Sequence, residues 1–221
     1  RLAAIQKIRV IHEFTHDSFY VGEDGPTHQP VEHIMSLRAI PNFKVYRPAD
    51  AKETASCMKL AIKDKTTPSA LLLTRQGVPI LEGAQKQTDA NVSKGAYAVL
   101  DCKGNPEIIL LASGSEVSLA LEVANKLERK KIRVISMPCW EIFNLQPDEY
   151  KKELIPGRGN LKVSIEAGIT SGWEKYIGSN GLAIGINHFG SSAPASDLAT
   201  KFGFTADQVI KKIETYLKEL L

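Results

Sequence analysis

The sequence has 221 residues, of which 28 are Lys or Arg and 25 are Asp or Glu, so its formal charge is only +3. The basic residues are spread along the chain instead of forming a stripe with interleaved aromatics, which argues against a nucleic-acid-binding protein. No apolar run reaches the length of a membrane helix, and the N-terminus has no signal-peptide pattern. Cys57, Cys102 and Cys139 lie far apart without a C-x-x-C pair, which predicts a reducing compartment and therefore a cytoplasmic protein.

Short β-branched runs alternate with amphipathic helical patterns along the chain, which is typical of βαβ units and predicts an α/β fold with mostly parallel sheets. The predicted strands are Ile8–Phe14, Phe43–Tyr46, Ala70–Thr74, Ile108–Ala112, Arg133–Met137, Lys162–Glu166 and Leu182–Asn187. The chain starts at Arg1 and enters the first of these strands without a lead-in, so we expect a fragment or a processed chain.

Three helices are marked most clearly by their patterns. Asp50 is a cap-type residue with Glu53 three positions later, which predicts a helix start at this point. The apolar residues that recur at helical spacing in this helix are Ala51, Ala55, Met58 and Ile62. A second helix is expected in "SEVSLALEVANKLERKK", directly after a strand. The third, "TADQVIKKIETYLKEL", has Thr205 as its expected cap and an expected apolar face of Val209, Ile213, Tyr216, Leu217 and Leu220.

A turn-rich stretch, "QGVPILEGAQKQTDANVSKG", breaks the periodicity between Gln76 and Gly95 and is typical of an interdomain linker. We therefore divide the chain into an N-terminal piece at residues 1–77, a linker at 78–94 and a C-terminal domain at 95–221. The C-terminal domain has enough strands for a complete α/β unit. The N-terminal piece has only three, and because a parallel sheet needs its faces covered, we expect that its first half is missing.

The stretch "THDSFYVGEDGPTHQP" combines histidines, carboxylates and glycines in a loop after a predicted strand, and Pro30 at its end is expected to open a helix. Ligands of open α/β sheets bind at the carboxyl ends of strands, so this position favours a site. His16 and His28 can exchange protons near neutral pH, and Asp24 can hold a hydroxyl. These side chains suit a sugar-like substrate.

The same loop resembles the transketolase family, in which T-H-D-S followed by G-E-D-G-P-T-H-Q-P lies in the pyrimidine-binding domain. The resemblance continues in order and spacing along nearly the whole chain. It includes "SLR" at 36–38, "RPAD" at 47–50, "TRQ" at 74–76, "SGSEV" at 113–117, "SMP" at 136–138, "EAG" at 166–168 and "FGSSAPA" at 189–195. It implies a partial pyrimidine-binding domain with parallel strands, followed by a complete C-terminal domain, which together form the C-terminal third of a transketolase.

The resemblance also implies roles for four residues. His16 and Arg75 match the histidine and arginine that contact the phosphate end of the sugar substrate, and a guanidinium fork suits a phosphate. Asp24 matches the aspartate that hydrogen-bonds a substrate hydroxyl next to the reacting carbon. His28 matches the histidine near the donor carbonyl, where it can assist proton transfer, so it is the expected catalytic residue.

Transketolases transfer a two-carbon ketol unit from a ketose phosphate to an aldose phosphate in the pentose phosphate pathway, with thiamine diphosphate as electron sink and Mg²⁺ or Ca²⁺ at its diphosphate. The resemblance puts the cofactor and metal ligands upstream of Arg1, so no cofactor-binding or metal-binding residue is expected in this chain. It also implies a homodimer with active sites between subunits. We therefore expect the fragment alone to be inactive.

Two alternatives for the whole chain stay open at this point. The chain can be a non-catalytic subunit of a split transketolase-like enzyme, paired with a partner that carries the diphosphate-binding domain. Another thiamine enzyme, such as a deoxyxylulose phosphate synthase or a dehydrogenase β-type subunit, shares the architecture but is not expected to carry these motifs.

Several other polar residues are interpreted as structural. Ser113 or Ser115 is expected to cap a helix, Glu166 to make a cap or a dimer contact, and His188 to pack within the fold. A metal site is a weak alternative for the loop. Its ligands would be His16, Asp17, Glu23, Asp24 and His28, whose spacing matches no helical metal motif.

Overall fold

The computed structural model of the chain describes residues 1–81, 88–127 and 130–220. The first of its two sheets has the parallel order β1-β3-β2, with β1 at Ile11–Phe14, β2 at Lys44–Tyr46 and β3 at Ser69–Leu72. The second has the order β4-β6-β5-β7-β8 and comprises β4 (Tyr97–Leu100), β5 (Ile108–Ala112), β6 (Ile132–Ser136), β7 (Leu161–Ile165) and β8 (Leu182–Ile184). Only β4 runs antiparallel to its neighbour, β6, within the described strands. The predicted α/β fold with mostly parallel sheets is confirmed.

Helices connect and cover these strands. They are α1 (Leu2–Gln6), α2 (His33–Arg38), α3 (Ala51–Lys63), α4 (Asp89–Val92), α5 (Glu116–Lys126), α6 (Trp140–Asn144), α7 (Asp148–Leu154), α8 (Glu174–Ile177), α9 (Ala195–Phe202) and α10 (Ala206–Glu219). A short 3-10 turn, Phe19–Val21, follows β1. No helix in the described residues has the length and apolar character needed to cross a membrane.

Each predicted strand overlaps a strand of the structure, and Ile108–Ala112 has the predicted bounds. The first was predicted too long, because α1 precedes it and the left-handed backbone of Lys7 (φ 53) ends that helix before β1 begins at Ile11. The strand β4 was not predicted, since its four residues follow a turn-rich stretch and pair only as an antiparallel edge. Pro30 does not open α2, which begins at His33.

The helix α3 starts where predicted but buries a different face. Asp50 caps it, because its Oδ1 accepts a hydrogen bond from the Glu53 N–H at 2.9 Å. Its buried residues are Glu53, Ser56, Cys57 and Ala61, whereas Ala51, Ala55 and Ile62 of the predicted apolar face are exposed. The reason is a set of distant donors: the Glu53 carboxylate accepts from Tyr97 Oη and Ser136 Oγ, both at 2.7 Å. The helix therefore turns its polar side towards the second sheet.

The core of the second sheet is built around β5, whose residues are all buried. Leu110 packs in one hydrophobic cluster with Val209 and Ile213 of the predicted α10 face. Leu220 of that face is instead 50% exposed, because it follows the last turn of the helix. Ile109 faces a second cluster with aromatic residues of α6 and α8. Thr205 is the N-cap residue of α10, although its hydroxyl donates to the Gln208 side chain instead of accepting a backbone N–H.

Both ends of the predicted linker pack against α3. The Leu81 N–H donates to Asp50 Oδ2 at 3.0 Å, and Asp89 at the start of α4 accepts from Ser56 Oγ at 2.5 Å and Lys59 Nζ at 2.9 Å. Residues 82–87 of the linker lie outside the described residues. The connection is thus held by polar contacts on either side of this gap.

A buried arginine joins the two sheets. Arg47 follows β2; its Nε donates to Asp17 Oδ2, just after β1, at 2.7 Å, and its Nη1 donates to Glu116 Oε2, at the start of α5, at 2.5 Å. The Ser113 carbonyl accepts a further bond from Nη1 at 2.7 Å. Gly114 leaves the necessary room, because a Cβ there would lie 2.6 Å from Arg47 Cζ. Since buried charges are tolerated only when paired, these bonds fix the sheets against each other.

Replacing Arg47 by Met should lower the free energy of unfolding by about 3–5 kcal/mol, because Asp17 and Glu116 would stay buried without their cation. Urea denaturation at neutral pH measures this loss. Lys59→Met is the matched control, since Lys59 forms an exposed ion pair with Asp89 at 2.9 Å and such pairs contribute about 1 kcal/mol or less. Equal losses in the two variants would contradict the role assigned to Arg47.

Candidate substrate site at the carboxyl edge of the first sheet

His16 and Arg75 lie in the loops that follow two neighbouring strands, β1 and β3, at the same edge of the first sheet. Phe14, at the end of β1, pairs with Leu72, at the end of β3, and the ladder continues where the Leu73 N–H donates to the Phe14 carbonyl at 2.8 Å. His16 follows Phe14 by two positions, and Arg75 follows Leu72 by three. Both predicted site residues are exposed. The structure therefore brings them to adjacent strand ends that are open to a ligand.

The backbone of His16 is held in an uncommon conformation. Its φ of 63 lies in the left-handed region, which residues with a side chain rarely occupy and which recurs at functional sites. Its Nδ1 lies 2.9 Å from Thr15 Oγ1. The next residue, Asp17, is buried and bonded to Arg47. The buried ion pair thus holds the turn that keeps the imidazole at the edge of the sheet.

Gln29 holds the loop that carries Asp24 and His28. It is buried, and its Nε2 donates to the Gly22 carbonyl at 2.7 Å and to the Ser191 carbonyl at 2.9 Å. Its Oε1 accepts from the Ser191 N–H at 3.1 Å. Gln29 and Ser191 are 162 positions apart, so the motifs "GEDGPTHQP" and "FGSSAPA" meet in space.

Glycines allow this close approach of the two loops. A Cβ at Gly190 would lie 1.5 Å from Gln29 Oε1, and one at Gly25 would lie 3.3 Å from Ser192 Cβ. Gly25 also has a φ of 81, which favours glycine. Ser192 Oγ donates to the Glu23 carbonyl. The second half of the chain therefore fixes the backbone on both sides of Asp24.

The side chains of Asp24 and His28 remain accessible on this fixed backbone. Both residues are exposed, and His28 Nδ1 lies 2.9 Å from Thr27 Oγ1. Within the described residues, no hydrogen bond or ion pair joins any two of His16, Asp24, His28 and Arg75. The loops after β1 and β3 thus present two imidazoles, a carboxylate and a guanidinium that can bind anionic and hydroxyl groups and exchange protons.

A second arginine with a buried side chain, Arg38, joins the two parts of the chain through an ion pair with Glu166. Glu166, which follows β7, accepts two hydrogen bonds from Arg38, both at 2.8 Å, and one from Trp173 Nε1 at 3.0 Å. Ser113 Oγ also donates to it. Burial alone would raise the pKa of Glu166, but the Arg38 guanidinium lowers this pKa to about 2. Glu166 therefore holds α2 to the second sheet and makes no helix cap; the other expectation, a dimer contact, stays a prediction.

The expected cap at Ser113 or Ser115 is found in part. Ser115 is the N-cap residue of α5, although its hydroxyl donates to Glu116 Oε1 at 2.7 Å and makes no side-chain cap hydrogen bond, and the Ser113 hydroxyl faces Glu166. Sequence reasoning missed this charged network, although "SLR", "RPAD", "SGSEV" and "EAG" each contribute one of its ionic groups. Complementary charges in short motifs far apart in the chain were the available signal.

Neither His188 nor the alternative metal set forms a site in the described residues. The ring of His188 packs against Phe202 with the centroids 5.1 Å apart, and its Nδ1 lies 2.8 Å from the Phe189 carbonyl, as expected of a structural residue. Throughout residues 1–81, 88–127 and 130–220, no group of three His, Cys, Asp or Glu could hold a metal ion. Asp17 of the alternative metal set is instead bound to Arg47.

Two family models match the chain, the transketolase pyrimidine-binding domain over residues 1–80 and the transketolase-like C-terminal domain over residues 95–205. The chain belongs to the transketolase family. It is 46% identical to the transketolase of Halalkalibacterium halodurans over 220 residues, which are 99% of this chain and 33% of that protein. This member of the family thus spans about a third of the length of the curated relatives that it matches.

Solved transketolases share this structure. That of Leishmania mexicana matches with a TM-score of 0.92 and 44% identity, covering 99% of this chain and 32% of that chain. A Pichia stipitis transketolase in complex with sedoheptulose-7-phosphate matches with a TM-score of 0.91 and 39% identity, covering 98% and 31%. A split-gene transketolase described as an inactive β4 tetramer matches with a TM-score of 0.77 and 23% identity, covering 97% and 69%, which shows a shared fold alone.

The stability contributed by Glu166 should disappear in acid. Its pKa falls from the usual 4.5 to about 2 in the folded chain, so the carboxylate stabilises the fold above the usual value and this contribution is lost as the pH falls through about 2. The urea midpoints of the wild type and Glu166→Gln should therefore differ at pH 7, with the wild type higher, and converge in acid. A difference that stays constant with pH would contradict the ion pair.

Proposed function

We propose that this chain is the C-terminal third of a transketolase and supplies substrate-binding residues to an enzyme that transfers a two-carbon ketol unit from a ketose phosphate to an aldose phosphate in the pentose phosphate pathway. The observation that carries the proposal is the common exit of His16 and Arg75 from the first sheet, set by the pairing of Phe14 with Leu72. We also propose a pyrimidine-domain half at 1–77, a linker at 78–94 and a C-terminal domain at 95–221.

In this proposal, Arg75 and His16 bind the phosphate end of the sugar. Arg75 is exposed and has no ion pair among the described residues, so its guanidinium is available to a phosphate. Two parallel N–H donors suit phosphate oxygens, and the neighbouring imidazole can supply a third. Asp17, the carboxylate next to His16 in sequence, is already bound to Arg47.

Asp24 and His28 act nearer the reacting carbons. Asp24 accepts a hydrogen bond from a substrate hydroxyl, and the loss of that partner in the wrong isomer leaves the carboxylate unpaired, which supports stereochemical selection. His28 moves a proton at its free ring nitrogen, since its Nδ1 already lies against Thr27 Oγ1 at 2.9 Å. The Gln29 contacts support both roles by holding the loop before the substrate arrives.

The cofactor of the proposed enzyme, thiamine diphosphate with Mg²⁺ or Ca²⁺, supplies the electron sink when bound. The described residues do not fit its metal, because they assemble no set of three suitable ligands. We therefore assign the cofactor to parts of the enzyme outside this chain. We also propose a cytoplasmic homodimer, with the three free cysteines as support for a reducing compartment.

The outer edge of the first sheet supports the need for further protein. Within the described residues, β1 pairs only with β3, and Phe14 at its end is 46% exposed. Leu2 and Ile5 of α1 are 71% and 65% exposed. An open strand edge and exposed apolar side chains both favour association, which fits an enzyme with further parts that cover them.

The second candidate function is a non-catalytic subunit of a split transketolase-like enzyme. The observation that favours this candidate is the fold that the chain shares with a split-gene transketolase. The two candidates differ in what precedes Arg1 in the coding sequence. A continuous reading frame that runs through the rest of a pyrimidine-binding domain into a diphosphate-binding domain supports the first, and a frame that starts at the pyrimidine-binding domain supports the second.

Arg75→Gln in the full-length enzyme should raise the KM for phosphorylated substrates about tenfold to a hundredfold, the range expected when a hydrogen bond to a charged group is lost. The KM for an unphosphorylated ketol donor should change little, because this donor has no phosphate for Arg75 to bind. Steady-state kinetics with both donor types make the measurement. Lys65→Gln, which removes a positive charge from another exposed loop, is the control. An equal loss of kcat/KM with both donors would indicate a purely structural role for Arg75.

The 221-residue chain alone should bind no thiamine diphosphate in the presence of Mg²⁺ and should show no two-carbon transfer. Isothermal titration followed by a coupled assay on the same sample tests both points. Heat of binding or turnover would mean that residues of this chain hold the cofactor, and the assignment of its site to other parts of the enzyme would be wrong.

A further inference from the structure

A cationic cleft of about 760 Å³ lies at the amino end of β7, between α6, α7 and α8. Its charged lining residues are Asp148, Lys151, Lys152, Arg158, Lys162 and Lys175. The one carboxylate, Asp148, is paired with Lys151 at 2.8 Å. The other four cations have no ion pair with any described residue. This excess of positive charge is local, because the whole chain carries only +3.

Lys162 is the buried cation of this cleft. It is only 9% exposed and sits opposite Ile109 in the second sheet. Its Nζ, which has three N–H donors, meets one acceptor among the described residues, the Gly157 carbonyl, at 3.3 Å. Burial lowers the pKa of Lys162. No carboxylate of the described residues pairs with this ammonium, so its other donors are left for a ligand that enters the cleft.

The loop "GRG" between α7 and β7 adds backbone donors to the same cleft. The N–H groups of Gly157, Arg158 and Gly159 donate to no acceptor in the described part of the chain. A Cβ at Gly157 or Gly159 would meet no atom within 4 Å, so this backbone is open to approach. Beside the loop, Asn160 Oδ1 is buried without a hydrogen-bond partner. The cleft therefore offers several donors for an anion and one acceptor for a hydroxyl.

We propose that this cleft binds the phosphate group of a small molecule, with Lys162 as the buried anchor and Arg158 and the adjacent backbone N–H groups as further donors. Phosphate suits the cleft because it has several acceptor oxygens and more than one negative charge, matching the unpaired cations. A hydroxyl carried by the same molecule would satisfy Asn160 Oδ1. The cleft thus gives the C-terminal domain a ligand-binding role separate from the proposed reaction.

Calorimetric titration of the purified protein with inorganic pyrophosphate tests this site. Lys162→Met keeps the apolar stem and removes the charge, and Arg158→Gln changes an exposed residue that the fold does not need. Each variant should weaken binding by about tenfold or more. Lys65→Gln is the matched control, since it removes an exposed cation that belongs to neither proposed site, and it should bind pyrophosphate as the wild type does. Arg75→Gln shows how much of the binding belongs to the proposed substrate site.

The outcomes separate this site from the proposed function. Failure of the wild type to bind pyrophosphate at millimolar concentration, or unchanged binding in both Lys162→Met and Arg158→Gln, would overturn the proposal. A loss of pyrophosphate binding in Arg75→Gln alone would also overturn the proposal, because it would place the anion at the first sheet. In a second titration, tighter binding of glycerol phosphate than of inorganic phosphate would support an organic ligand, and equal binding would support an inorganic one.

Discussion

The burial of Arg47 between Asp17 and Glu116 is the constraint on which the arrangement of the two sheets depends. A guanidinium removed from water must keep its carboxylates, and each carboxylate must keep the guanidinium, because any one left alone is strongly destabilising. Asp17 and Arg47 belong to the first sheet, whereas Glu116 begins a helix of the second. Parting the sheets would therefore separate Glu116 from its cation and leave Arg47 with Asp17 as its one carboxylate partner among the described residues. Glu166 and Arg38 repeat the same bond between the same two parts.

These buried contacts hold the backbone that carries the exposed residues of the candidate site. His16 occupies a left-handed backbone conformation that little else would hold if Asp17 were released. The loop with Asp24 and His28 depends on Gln29, whose hydrogen bonds reach the last third of the chain. Residues that face solvent are thus preorganised by residues that do not. This dependence gives a physical reason for the two domains to occur together in one chain.

Local pattern predicted much of this fold but little of its polar interior. Strands such as Ile108–Ala112 are recognisable because β-branched and apolar residues form an unbroken run. The buried face of α3 was not recognisable, since Glu53 is buried against donors on Tyr97 and Ser136 as well as the Ala49 N–H. Tyr97 and Ser136 lie tens of positions away, and periodicity within one helix contains no information about them.

The candidate site shows a similar division. Chemistry and spacing indicated a ligand loop after a strand, but the separate roles of His16, Asp24, His28 and Arg75 came only from the family resemblance. The structure adds the shared exit of His16 and Arg75, which follows from the β1–β3 register and from no local pattern. The network of Arg38 and its partners was hidden for the same reason, because ion pairs between distant motifs are a property of the folded chain.

Within the described residues, buried charges are paired at one edge of the second sheet and unpaired at the other. At the carboxyl edge, Glu116 and Glu166 each have an arginine from the first sheet, and the guanidinium of Arg38 keeps the pKa of Glu166 near 2. At the amino edge, burial lowers the pKa of Lys162, and no carboxylate of the described residues compensates for its charge. The buried charges at the carboxyl edge are thus paired within the chain. The amino edge is a cationic site whose charge is balanced only when an anion arrives from solution.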